Sequence, residues 1–191
     1  MSDAAEGAIR DILAGAIRAH EMMRDGDVAP VAAAARAMTD AVKHGKKVLA
    51  FGNGGSAADA QHFAAELVGR FQLERRAAAA IALTTDTSIL TAIGNDYAFD
   101  RVFARQVEAL GGEGDVALGI STSGRSANVL AAFETARSKK MTTVALTGGD
   151  GGPLGRAAGI HVNVPGTSTA RVQEVHRTVL HAICELIERE L

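Results

Sequence analysis

The chain has 191 residues, 47% hydrophobic and 22% charged, which suits one globular domain with a sizeable core and excludes a disordered chain. Lys and Arg number 20 against 22 Asp and Glu, a formal charge of −2, so no broad electrostatic footprint for nucleic acid or an anionic membrane is expected. The single cysteine, Cys184, excludes an intrachain disulfide framework and fits a reducing compartment.

The first residues, MSDAAEGAIRDILAGAIRAHEMM, carry early acids and no basic segment before an apolar run, unlike a signal peptide. No window approaches about 18 uninterrupted apolar residues, so no membrane span is expected. The expectation is a soluble, cytoplasmic protein.

Residues 4–24 place Ile9, Ile12, Leu13, Ala16, Ile17 and Met23 at helical spacing, ending at Asp25-Gly26-Asp27. Pro30 suits a first helical turn, and a second helix runs to about His44, stopped by Gly45. Five β-rich runs follow, at 47–51, 79–84, 116–121, 142–147 and 160–165. Each is nearly continuous in apolar residues, as a strand covered on both faces is. Helical segments lie between them at 56–70, 87–94 with 99–110, 126–138 and 153–158, and a last helix spans 169–190. This alternation predicts one α/β domain: a five-stranded parallel sheet flanked by helices, with residues 1–45 as an N-terminal helical pair and 46–191 as the main domain. Ligands of such sheets bind at the carboxyl ends of the strands, at a topological switch point.

Two strand-to-helix loops carry anion-binding chemistry. Gly52-Asn53-Gly54-Gly55-Ser56 lets backbone N–H groups approach an anion, with Ser56 expected to cap the next helix. Ser121-Thr122-Ser123-Gly124-Arg125-Ser126 offers four hydroxyls before another helix. Neither matches a dinucleotide fingerprint or a Walker loop, so a small phosphorylated metabolite is expected and no nucleotide. Arg70, Arg125 and Arg177 are candidate sources of positive charge, or simply solvated surface.

On the helix after the first loop, Asp59, His62 and Glu66 stand apart from the apolar stripe Ala57, Ala60, Ala64, Leu67 and Phe71. A His–Glu pair four residues apart is half a divalent-metal site, a base with its orienting partner, or a plain surface pair. In the last helix, Gln173, Arg177 and His181 form a line separate from the stripe Val172, Val175, Val179, Ile183 and Leu186. Gln173 and His181 lie about 12 Å apart along an ideal helix, so one ion touches both only if the side chains stretch or subunits share it. His176, beside Leu180, reads as a packed or capping histidine; His20, His44 and His161 read as structural.

Four stretches in order, GNGGSAADAQHFAAELVGRF, TTDTSILTAIGNDYAFDRVFARQVEALG, EGDVALGISTSGRSANVLAAF and ARVQEVHRTVLH, resemble the phosphoheptose isomerases of the SIS (sugar isomerase) family over nearly the whole chain. The resemblance implies a SIS-type domain, a homotetramer and zinc, one ion per subunit. It also implies isomerisation of sedoheptulose 7-phosphate to D-glycero-D-manno-heptose 7-phosphate, which opens the route to ADP- or GDP-heptose and bacterial surface glycans such as lipopolysaccharide. By motif, Asn53, Gly54, Gly55, Ser56, Glu66, Asn95, Asp96, Ser121, Thr122, Ser123, Ser126 and Gln173 match substrate contacts. His62, Glu66, Gln173 and His181 match metal ligands, and Glu66 and His181 match the acid–base pair. Some relatives carry acids where Ala65 and Ala170 stand here. A rival is a non-catalytic SIS protein that binds the bacterial replication initiator; such proteins lack the Glu and His that stand here at 66 and 181.

Overall fold

The three central apolar runs become strands buried on both sides, whereas the two edge runs, near 80–82 and 160–164, stay part-exposed; the alternation of side chains divides the strands between two cores. A computed structural model of the chain describes residues 2–166 and 168–191. The elements, in order, are α1 (Ser2–Asp25), α2 (Ala29–Lys43), β1 (Val48–Gly52), α3 (Gly55–Val68), β2 (Ala80–Ala82) and α4 (Thr87–Asp96). A short 3-10 turn (Phe99–Arg101) leads into α5 (Val102–Leu110), β3 (Val116–Ser121), α6 (Ala127–Ser138), β4 (Thr142–Gly148), α7 (Gly152–Ala157), β5 (Ile160–Val164) and α8 (Thr169–Glu188).

The strands form one parallel sheet in the order β2-β1-β3-β4-β5. This is a doubly wound α/β fold whose switch point lies between β1 and β3, where Gly52 pairs with Ile120. Both glycine- and hydroxyl-rich loops therefore leave the same sheet edge side by side. On one face Val48, Ala50, Val116, Leu118 and Ile120 pack with α2, α3 and α8. On the other, Leu49, Phe51 and Ala117 pack with α5, α6 and α7. There Phe51 stacks on Phe103 at 5.4 Å and meets Phe133 edge-on at 6.2 Å, arrangements aromatic quadrupoles favour.

β2 keeps only three residues, where a run of six was expected. It is an edge strand paired with β1 alone, and just beyond its two ends the Val48 amide donates to the Ala79 carbonyl and the Leu83 amide to the Ala50 carbonyl, each at 2.9 Å. Among the described residues, no helix is long and apolar enough to cross a membrane. Along α1, Ile9, Ile12, Leu13 and Ile17 are each more than half exposed, an apolar face this chain alone leaves uncovered.

His176 is wholly buried, with Nε2 3.0 Å from the carbonyl oxygen of Thr147 at the end of β4. Burial pushes its pKa down, against weaker opposition from that carbonyl and Asp59; burial also lowers His161. His161 Nε2 lies 2.7 Å from Thr147 Oγ1. A histidine lowered from its ordinary 6.5 takes up a proton more readily unfolded than folded. Its stabilising contribution is thus full above that value and lost as pH falls through the folded pKa. We expect unfolding free energy, from urea titrations, to be flat above about pH 7 and to fall between about pH 6.5 and 5. In His176→Gln, which cannot take up that proton, the slope should be shallower.

Candidate active site

The first loop turns at Gly54, which stands at φ +56° as the N-cap of α3. Ser56 is not the cap. The left-handed turn, which glycine adopts without a Cβ penalty, starts the helix at Gly55 and places Ser56 buried inside its first turn. Asn53 and Asn128 exchange two side-chain amide hydrogen bonds of 2.9 Å, tying this loop to the first turn of α6. Asn128 was not singled out from the sequence. Only the adjacency of β1 and β3 reveals its role.

In the hydroxyl-rich loop, Ser121 Oγ lies 3.0 Å from Ser126 Oγ, and Ser123 Oγ accepts from the Arg125 amide at 3.2 Å. Gly124 has φ +62°, and a Cβ there would collide with the Gly151 carbonyl, so the loop can pass its neighbour only with glycine at this position. Thr122 and Ser123 face a cavity of about 310 Å³ whose other walls include Gly148, Gly166, Thr169 and Val172. The guanidinium of Arg125 points to Asp150, 2.6 Å away.

Gln173, one residue beyond Val172, faces a second groove of about 600 Å³ with Gly55, Asp59, Arg177, His181 and His20. The start of α8 thus borders both cavities. The Gln173 carboxamide lies so close over Gly55 that an added Cβ would sit 2.6 Å from Nε2. Arg177 is engaged by the buried Asp59 of α3, donating to its Oδ1 from two nitrogens at 3.1 and 2.6 Å. His20, read from the sequence as structural, borders this groove and meets Thr178 Oγ1 at 2.9 Å.

The titratable side chains converge where α3 meets α8. His62 Nε2 is 2.7 Å from His181 Nε2 and 3.3 Å from Glu66 Oε1. One ligand atom from each of the three falls within 4.8 Å of the others, all part-buried. Two imidazoles and a carboxylate suit a divalent transition metal, and three protein donors leave a coordination position for substrate or water. Burial pushes the His181 pKa down, His62 adds to this and Glu66 opposes it. Phe71, expected on the helical stripe, instead lies beyond the end of α3, its ring 5.1 Å from that of His181.

Asn95 and Asp96 stand apart from these residues. They are exposed at the end of α4, bonded to each other at 2.8 Å, and Asp96 borders a separate groove with Ile89, Tyr97 and Arg105.

The fold is a doubly wound sheet with glycine- and hydroxyl-rich loops at its switch point, and sequence comparison supplies the class: the model of the SIS domain matches residues 13–148. The chain is 58% identical over 179 residues to a phosphoheptose isomerase from Geobacter sp. (strain M21), covering 92% of this chain and 93% of that protein. A phosphoheptose isomerase structure from Neisseria gonorrhoeae superposes with a TM-score of 0.92 at 48% identity, covering 97% of this chain and 99% of that one. One from Francisella tularensis gives 0.93 at 40% identity, covering 97% and 98%. The chain belongs to the SIS-domain family and, within it, to the phosphoheptose isomerases.

The three-donor cluster makes a direct prediction. Cobalt(II), followed by its visible absorption, should bind the purified protein, and His62→Ala should weaken that binding more than tenfold, about 1.4 kcal/mol or more. Equal affinity in the two proteins would place the ion elsewhere.

Proposed function

We propose that the protein converts sedoheptulose 7-phosphate to D-glycero-D-manno-heptose 7-phosphate through a cis-enediol, the first step toward ADP- or GDP-heptose. The observation that carries this reading is the meeting of Glu66, His62 and His181 within one ligand shell, in a chain of this family. Aldose–ketose isomerisation moves one proton between C1 and C2 and another between their oxygens. It needs a base at carbon and an acid–base group at the oxygens. Glu66 is the base that takes the carbon-bound proton. His181, kept toward its neutral form by burial, gives and accepts protons at the oxygens.

His62, Glu66 and His181 would hold a zinc ion; Gln173, whose carboxamide lies over Gly55 in the same groove, would be a fourth ligand only where substrate or water does not take that position. When bound, zinc supplies Lewis-acid stabilisation of negative charge developing on the substrate oxygens. A carboxylate wholly committed to metal is a poor base, so Glu66 would bind a zinc ion loosely or exchange between the two tasks when substrate enters. Ser121, Thr122, Ser123 and Ser126, with the N-terminus of α6, take the phosphate. Asn53, Gly54, Gly55, Ser56 and Gln173 line the sugar.

The reading includes a cytoplasmic location and a homotetramer; the uncovered apolar face of α1 supports association of chains, with residues 1–45 packing on both the domain 46–191 and the oligomer. In that assembly Asn95 and Asp96, remote from their own chain's cluster, contribute to a neighbour's site.

Purified protein should turn over sedoheptulose 7-phosphate and lose activity with a chelator. Glu66→Gln should lower kcat by about 100-fold or more, the usual reach of general acid–base catalysis. A folded, substrate-binding Glu66→Gln protein with near-normal turnover would contradict the assignment, and an inactive wild type would favour a non-catalytic binding role.

A further inference from the structure

Arg75 and Glu188 form the most buried ion pair among the described residues, with side chains 3% and 1% exposed. The function proposed above leaves both unused. Glu188 stands in the last turn of α8, and its carboxylate accepts three consecutive backbone amides, from Phe71 at 2.6 Å, Gln72 at 2.8 Å and Leu73 at 3.0 Å. Arg75 donates to the carbonyl oxygens of Glu66 at 2.6 Å and Leu67 at 2.8 Å, and also to those of Gly69 and Arg76. Arg75 Nε faces Glu188 Oε1 at 3.4 Å.

Each partner answers a defined electrostatic need. The last carbonyls of a helix lack intrahelical donors and carry partial negative charge, which a guanidinium satisfies. The amides of the following turn lack acceptors, and a carboxylate takes all three. Burial alone would push the Glu188 pKa up, but the three amides and Arg75 outweigh it and the net direction is down. The carboxylate is therefore charged at neutral pH. Removing either partner strands the other as a buried, unpaired charge.

What the pair holds is the active cluster itself. The carbonyl of Glu66 is one of the groups that Arg75 grips, and the Phe71 amide one of those that Glu188 grips. The Phe71 ring in turn lies 5.1 Å from that of His181, at an interplanar angle of 31°. We propose that Arg75 and Glu188 are positioning residues for isomerisation: together they clamp the end of α3 to the end of α8 and fix Glu66 and His181 in register. The proposal rests on the acid–base reading of Glu66 and His181. It adds that their alignment depends on two residues touching neither substrate nor metal.

The test compares wild type with Glu188→Gln and Arg75→Lys, measuring kcat, KM, thermal midpoint and cobalt(II) titration. A positioning role predicts that kcat falls more than tenfold while KM changes less than about threefold, because the phosphate loop lies on β3 and α6, outside the clamp. It also predicts altered cobalt(II) absorption or affinity in variants that remain folded. If Glu188→Gln does not fold, Arg75→Lys, which keeps the charge but not the fork, carries the test. Folded variants with wild-type kcat and wild-type cobalt(II) spectra would overturn the proposal, as would a loss confined to thermal midpoint. An inactive wild type would count against the isomerase reading alone. The cobalt(II) titration then decides the clamp, which unchanged spectra would refute.

Discussion

The contact between α3 and α8 is the constraint on which the rest of the site depends. Neither helix carries a complete chemical device. α3 brings His62 and Glu66 on one face, and α8 brings His181 from 119 positions further along the chain. Only their packing on the same face of the sheet puts the two Nε2 atoms 2.7 Å apart. Close approach of this kind is costly unless a proton or an ion is shared, because two imidazole lone pairs repel. Ala60 and Phe63 of α3 and Val175 and Val179 of α8 are all buried in the single core on this face of the sheet, which anchors both helices.

The sheet does a different job. Its strand order sets the loops after β1 and β3 side by side at the carboxyl edge, and the Asn53–Asn128 pair locks one to the other. Glycines do the close work there: positive φ at Gly54, and room for the neighbouring backbone at Gly124. The start of α8 borders both cavities, with Val172 toward the hydroxyl loop and Gln173 toward the histidines. A sugar phosphate spanning the two would place its charged end and its reacting end on separate, rigid supports, the condition for orientation to contribute to catalysis.

Much of this was legible from residue order. Continuous apolar strands announced the parallel sheet, doubly covered at β1, β3 and β4 though not at its part-exposed edges β2 and β5, and the spacing of His62 and Glu66 announced a shared face. Other features were not legible, for physical reasons. A helix start depends on the φ that the turn adopts, so a serine in a favourable place, Ser56, was displaced as cap by Gly54. Helical periodicity carried Phe71 onto α3, whereas the chain leaves the helix at Gly69 and swings the ring onto His181. Arg75 and Glu188 are separated by more than a hundred residues and have no local pattern; their meaning exists only in three dimensions. The motif containing Asn95 and Asp96 was visible as a motif, but this chain alone does not bring it to the cluster.

The most direct measurement is anomalous X-ray diffraction at the zinc edge from crystals of the intact protein grown with zinc. The account predicts one strong peak per subunit, at about 2.0–2.2 Å from nitrogens of His62 and His181 and an oxygen of Glu66. A peak at unrelated residues, or a fully zinc-loaded crystal with these three side chains unligated, would contradict it.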